Sequence, residues 1–186
     1  MINSKKIKAI KRIEEELKKL TKNPLTNFGI IVSLFKEDNI FQWKCSILGP
    51  KDTCYKGGLF FMKISFPEDY PDSKPEINFI TPIYHLNVKF FVGGMYPLGH
   101  ISMSTLNLWR PDYNMSKILP EIFYILAHNN PDSPYDYTNG TRRNEYINNR
   151  ALFEEKASYF TKKYANPLQV IKKELTSDWD FTYKEN

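Results

Sequence analysis

With 186 residues, 41% of them hydrophobic and 25% charged, the chain has the make-up of one globular domain, or one domain with a tail; disorder, collagen and coiled coil are excluded. A chain this long buries about two-thirds of its unfolded surface on folding, so its core needs no disulfide or metal. The net charge of +5 hints at an acidic partner but is weak for a dedicated nucleic-acid binder. The two cysteines, Cys45 and Cys54, fit no zinc spacing, and no metal or cofactor is expected. Early lysines without a following apolar segment do not make a secretory signal, so a cytoplasmic and/or nuclear location is expected. No apolar run approaches the roughly 20 residues that span a bilayer, so no membrane partner is expected.

Between Lys5 and Lys22, Ile7, Ile10, Ile13, Leu17 and Leu20 recur at spacings of three and four and predict an amphipathic helix. Its outer face carries Lys5, Lys8, Lys11, Arg12, Lys18 and Lys19, and Asn23-Pro24 stops it. Residues 1 to 22 hold eight basic and three acidic side chains, which accounts for the whole net charge. Strand-like segments follow at Gly29 to Phe35, Phe41 to Leu48 and Leu59 to Phe66. The second alternates Phe41, Trp43, Cys45 and Ile47 on one face. Pro75 leads into a short fourth strand near Glu76 to Ile80.

From Thr81 to about Tyr113 the chain reads as one long irregular region, and loops of that length in compact domains are usually functional. Helical spacing returns at Ser116 to His128, where Pro120 predicts a late start or a bend. A further helix is predicted from about Asn144 to Ala165, with Ile147, Ala151, Phe153, Ala157, Phe160 and Tyr164 as its buried stripe. A last one runs from Pro167 to Leu175.

In this order stand Lys11-Arg12-Ile13, Ile47-Leu48-Gly49-Pro50, Tyr55-Lys56-Gly57-Gly58 and Phe66-Pro67-Glu68-Asp69-Tyr70-Pro71. They continue with Ile83-Tyr84-His85-Leu86-Asn87, Trp109-Arg110-Pro111, Asn130-Pro131-Asp132-Ser133-Pro134 and Thr161-Lys162-Lys163-Tyr164-Ala165. Together they resemble the ubiquitin-conjugating enzyme (E2) family. The resemblance implies an α+β UBC fold with an N-terminal helix, a four-stranded antiparallel meander, a long active-site loop and C-terminal helices. It implies a core domain over residues 1–166, with residues 167–186 as a C-terminal helix and tail.

In that family a cysteine accepts ubiquitin, or a ubiquitin-like protein, as a thioester from an E1 activating enzyme. It passes the modifier to a substrate lysine or to an E3 ligase. The cysteine follows a His-Pro-Asn tripeptide, in a stretch similar to Gly-x-Ile-Cys-Leu; here that stretch reads Gly99-His100-Ile101-Ser102-Met103. Ser102 therefore holds the nucleophile position. A thiol with a pKa near ~8.5 is a few per cent thiolate at neutral pH, whereas a serine hydroxyl needs an adjacent base. Transfer is expected to be weak, or the modifier trapped as an oxyester. The tripeptide reads His85-Leu86-Asn87, so the proline that would lock φ is replaced by a leucine and loop rigidity is in question. Ser102 lies 15 positions after Asn87, a longer link than the family's.

The resemblance gives Asn87 the task of supporting the loop or a developing oxyanion, against the plain reading of a loop asparagine bonded to its own backbone. His85 reads as a structural histidine that holds the loop by hydrogen bonds. Ser133 matches the position that orients the incoming lysine, or else caps a turn; Asp132 reads as a turn former. His100 and Ser102, two apart, share a face on an extended segment, but the Gly-x-Ser-x-Gly elbow of a serine hydrolase is absent.

The basic face of the first helix is either a solvated surface or, by resemblance, the docking site for E1 and E3, with Lys5, Lys8, Lys11 and Arg12 as contacts. Phe79 and the Trp109, Arg110, Pro111 loop would complete the ligase-facing surface. Nucleic acid is not an expected partner, since aromatics do not interleave with those basic residues. Cys45 reads as core packing and Cys54 as a partly exposed loop residue. The alternative to a conjugating enzyme is a catalytically inactive E2 variant that binds ubiquitin or a true E2.

Overall fold

The computed structural model describes residues 4–89, 97–132, 134–135 and 141–176. The first helix, α1, runs over Ser4–Lys22 and ends where Asn23 N–H donates to the Lys19 carbonyl at 2.9 Å. Its buried residues are Ala9, Ile13, Glu16 and Leu20. Ile10 and Leu17 flank that stripe half-buried, but Ile7 is 56% exposed, so the inward face is turned from the expected one toward Ala9 and Glu16. Glu16 tolerates burial because its carboxylate accepts from Arg12 Nε at 2.5 Å, Tyr70 Oη at 2.8 Å and the Met115 N–H at 2.7 Å. One side chain thus ties α1 to the loop before Pro71 and to the start of a later helix.

The sheet is an antiparallel meander in the order β1 (Ile30–Leu34), β2 (Gln42–Leu48), β3 (Leu59–Ser65), β4 (Glu76–Phe79). Cys45 pairs with Val32 on one side and Met62 on the other. The two-residue period points Trp43, Cys45, Ile47, Phe60, Met62, Ile64, Ile77 and Phe79 into the main core. Each such side chain contributes about 1.5–3 kcal/mol of burial. A short helix, α2 (Ser104–Asn107), lies inside the stretch that reads as irregular in the sequence. Next comes α3 (Met115–Ala127), capped by Asn114, whose Oδ1 accepts from Lys117 N–H at 3.1 Å. Pro120 is the sixth residue of α3, so the helix begins before it rather than late. Ile118, Leu119, Ile122 and Leu126 close the core from this side.

The single helix expected over 144–165 is two, α4 (Thr141–Asn148) and α5 (Arg150–Tyr164). Asn149 separates them because its side chain caps α5, accepting from Leu152 N–H at 3.3 Å. In α5 the buried positions are Phe153, Ala157 and Thr161, while Ile147 and Ala151 are exposed. The last helix, α6 (Pro167–Thr176), lays Val170 against Phe61 and Ile80 on the outer face of the sheet. Among the described residues no helix is long and apolar enough to cross a membrane.

Candidate active site

Residues 97–102 return to the sheet and thread between β4 and the segment after His85. Phe79 N–H donates to the Gly99 carbonyl at 2.8 Å, Gly99 N–H to Lys89 at 2.9 Å and Lys89 N–H to His100 at 2.9 Å. Only glycine fits at 99. Its φ is +79°, and a Cβ there would stand 2.0 Å from the Phe79 carbonyl oxygen. With Val88 bridged to Ile101, the residue facing Ser102 is Asn87, whose carbonyl accepts the Ser102 N–H at 2.8 Å. The fold thus closes the 15-position link and sets these two residues side by side.

The Asn87 side chain is engaged at both ends of its amide. Nδ2 donates to the Asn130 carbonyl at 2.9 Å, and Oδ1 accepts the Asn130 N–H at 2.9 Å. This is the geometry of loop support. Asn130 Oδ1 in turn accepts the Asp132 N–H at 2.9 Å, so Asp132 sits in an asparagine-built turn, on the exposed side. Ser133 lies outside the described residues.

His85 is fully buried. Its Nδ1 accepts the Asn87 N–H at 3.0 Å, which leaves Nε2 to carry the proton and donate to the Ile125 carbonyl at 3.1 Å. Burial, with a smaller push from Arg142, brings its pKa down to about 3, so the ring is neutral and acts as a strut. His100 is also shifted down, chiefly by burial, and its ring meets Tyr135 edge-on at 5.7 Å. Neither cysteine is poised as a thiolate. Cys45 is in the core, where burial pushes its thiol well up, and half-buried Cys54 is pushed up to about 11, again chiefly by burial.

The basic and aromatic candidates separate into two groups. Lys5, Lys8 and Lys11 are exposed on α1, with Lys8 Nζ 3.7 Å from Asp72. Arg110 and Pro111 are exposed, with Arg110 Nε 3.0 Å from Asp112. Arg12 belongs to the framework instead, bonded to Glu16 and, through Nη2, to the Tyr113 carbonyl at 2.8 Å. Trp109 is half-buried between Tyr70 and Tyr113 and donates Nε1–H to the Pro71 carbonyl at 2.8 Å. These bonds draw the start of α1, the 68–72 loop and the 109–113 loop to one end of the molecule.

Phe79 does not reach that surface. It is 5% exposed, because the period of β4 turns it inward with Ile77, against Phe60. Leu108, 73% exposed beside Trp109, is a surface residue that the sequence reading passed over, since its apolar character gave no sign of exposure.

A sequence profile for Ubiquitin-conjugating enzyme matches residues 12–161. The chain belongs to the ubiquitin-conjugating enzyme family. The fold is also similar to the crystal structure of a Plasmodium yoelii protein classed as a ubiquitin conjugating enzyme. That likeness has a TM-score of 0.72 and 33% identity, and it covers 85% of this chain and 96% of the other. Within this E2 fold α6 begins beyond the matched residues, and Ser102 occupies the strand-like segment that faces Asn87.

Proposed function

We propose that the protein is a ubiquitin-conjugating enzyme in which Ser102 takes the part of the nucleophilic cysteine. It would receive ubiquitin or a ubiquitin-like protein from an E1 activating enzyme and hold it as an oxyester. That ester is released slowly to a lysine or an E3 ligase, because an alkoxide is a poorer leaving group than a thiolate. The observation that carries this reading is the hydrogen bond from Ser102 N–H to the Asn87 carbonyl, on the fold of that family. Asn87 supports the loop, His85 and Asn130 hold Asn87, and Ser133 is the residue that would meet the incoming lysine. Lys5, Lys8 and Lys11, with Arg110 and Pro111, form the surface offered to E1 and E3, and the cytoplasm and nucleus are where such partners act.

A second reading, an E2 variant without catalysis that binds ubiquitin or another E2, is favoured by one observation. The Asn87 amide is committed to the Asn130 backbone at both ends. The two readings part in one experiment. The protein and its Ser102→Cys form are incubated with E1, ATP and ubiquitin or a ubiquitin-like protein. A thiol-labile adduct on the cysteine form, and a slow thiol-resistant one on the serine form, support the conjugating enzyme. No adduct on either, with retained binding of ubiquitin or of another E2, replaces it by the second reading.

A further inference from the structure

Residues His85 to Val88 make a turn closed by the Val88 N–H, which donates to the His85 carbonyl at 3.3 Å, with Leu86 and Asn87 at its centre. The first central position of such a turn favours proline, which fixes φ and brings no N–H. Leu86 leaves φ free, and its N–H, on a residue 0% exposed, requires an acceptor. Asn129 provides it, with Oδ1 3.2 Å from that nitrogen. Arg142 of α4 closes the turn from another direction, its Nη1 donating to the His85 carbonyl at 2.8 Å and the Val88 carbonyl at 2.9 Å. One guanidinium nitrogen therefore joins the first and last residues of the turn.

Arg142 is only 4% exposed, and burying a cation is costly unless it is hydrogen-bonded and compensated. The same helix also buries a carboxylate. Glu145, three residues on and also buried, accepts from Tyr84 Oη at 2.6 Å and from Lys156 Nζ at 2.5 Å, and the Tyr84 ring lies 5.9 Å from the Arg142 guanidinium. A helix that merely filled space would carry apolar residues at these two buried positions. We propose that Arg142, together with Asn129, is a positioning residue for Asn87. Their hydrogen bonds supply the rigidity that a proline ring would give at position 86, and so keep the Asn87 carbonyl where it receives the Ser102 N–H. The consequence for acyl transfer rests on the reading of Ser102 given above; the clamp itself does not.

The test is amide hydrogen exchange on the full chain, reading Ser102 against the amides of β2 and β3. Arg142→Met speeds exchange at Ser102 by roughly tenfold while the strands keep their protection. Arg142→Lys recovers part of the protection, because an ammonium can reach one of the carbonyls. In a Leu86→Pro background the difference between Arg142 and Arg142→Met shrinks, because the ring now fixes the turn. A wild-type exchange rate at Ser102 in folded Arg142→Met overturns the proposal, as does an equal loss in the Leu86→Pro background. Should Arg142→Met not fold, Asn129→Leu reads the same amide, and unchanged exchange there overturns the proposal equally. In the Ser102→Cys form, faster exchange on Arg142→Met with no uptake of ubiquitin or of a ubiquitin-like protein leaves the clamp standing and removes the conjugating-enzyme reading.

Discussion

Tyr70 donates its phenol to the buried carboxylate of Glu16 at 2.8 Å, across 54 positions of sequence. Burial, reinforced by that carboxylate, raises the phenol's pKa well above its ordinary value, so it remains a donor throughout the accessible pH range. Replacing Glu16 by Ala strands Arg12, Tyr70 and the Met115 N–H together, and should cost about 3–5 kcal/mol in urea unfolding. Tyr70→Phe removes one donor and should cost about 2 kcal/mol. Near-equal values for the two variants would show that the other two donors find replacement partners.

Gly99→Ala places a methyl 2.0 Å from the Phe79 carbonyl oxygen in a backbone region that side chains rarely enter. The expected loss is about 1–3 kcal/mol or more in thermal unfolding. It should be accompanied by faster hydrogen exchange at the Phe79 amide, which bonds to the Gly99 carbonyl.

His85 makes stability depend on acid. Its folded pKa, about 3, lies below the unfolded value near ~6.5, so between these values the unfolded chain binds the extra proton. The contribution is fully present above about pH 6.5 and falls as pH drops toward 3, at most by about 1.4 kcal/mol per pH unit. Urea unfolding at pH 7, 6 and 5 should show a shallower decline in His85→Gln than in the native protein. Parallel declines would assign the acid sensitivity to other groups.

Reversing Lys5, Lys8 and Lys11 to Glu should change stability by no more than about 0.5 kcal/mol per substitution, since all three are exposed. It should slow loading of the Ser102→Cys form or weaken ligase binding, with the deficit largest at low salt. A deficit that does not vary with salt would point away from electrostatic docking. Arg12→Ala should act on stability instead, because its guanidinium joins Glu16 to the Tyr113 carbonyl.

The strands and most helices were legible because a two-residue or 3.6-residue period survives in a single sequence: Trp43, Cys45 and Ile47 point inward as their alternation says. What periodicity could not show was a polar residue taking a core position. The helical stripe left Glu16 without a role, and its burial depends on Tyr70 and Met115, both distant in sequence. Phe79 was assigned to the surface by resemblance, although the alternation of β4 already turned it inward. Asn149 was hidden inside a run of helical spacing that it interrupts.

At the site, motif order located His85, Asn87 and Ser102, and the fold sets them in one hydrogen-bonded segment. Rigidity at position 86 could not be read from a tripeptide without its proline, because the bonds that provide it come from Asn129 and Arg142, some 43 and 56 positions away.

The outer face of the sheet bears on how the molecule behaves at high concentration. Ile31 and Phe61 both stand opposite Ser46, and Leu48, like Ile31, is more than half exposed. Phe61 and Ile80 are kept from water by Val170 of α6. A chain cut at 166 would bare Phe61 and Ile80 on the face that already exposes Ile31 and Leu48, and exposed apolar area of that kind favours contact between copies. What α6 adds to the sheet is therefore a cover for these two side chains.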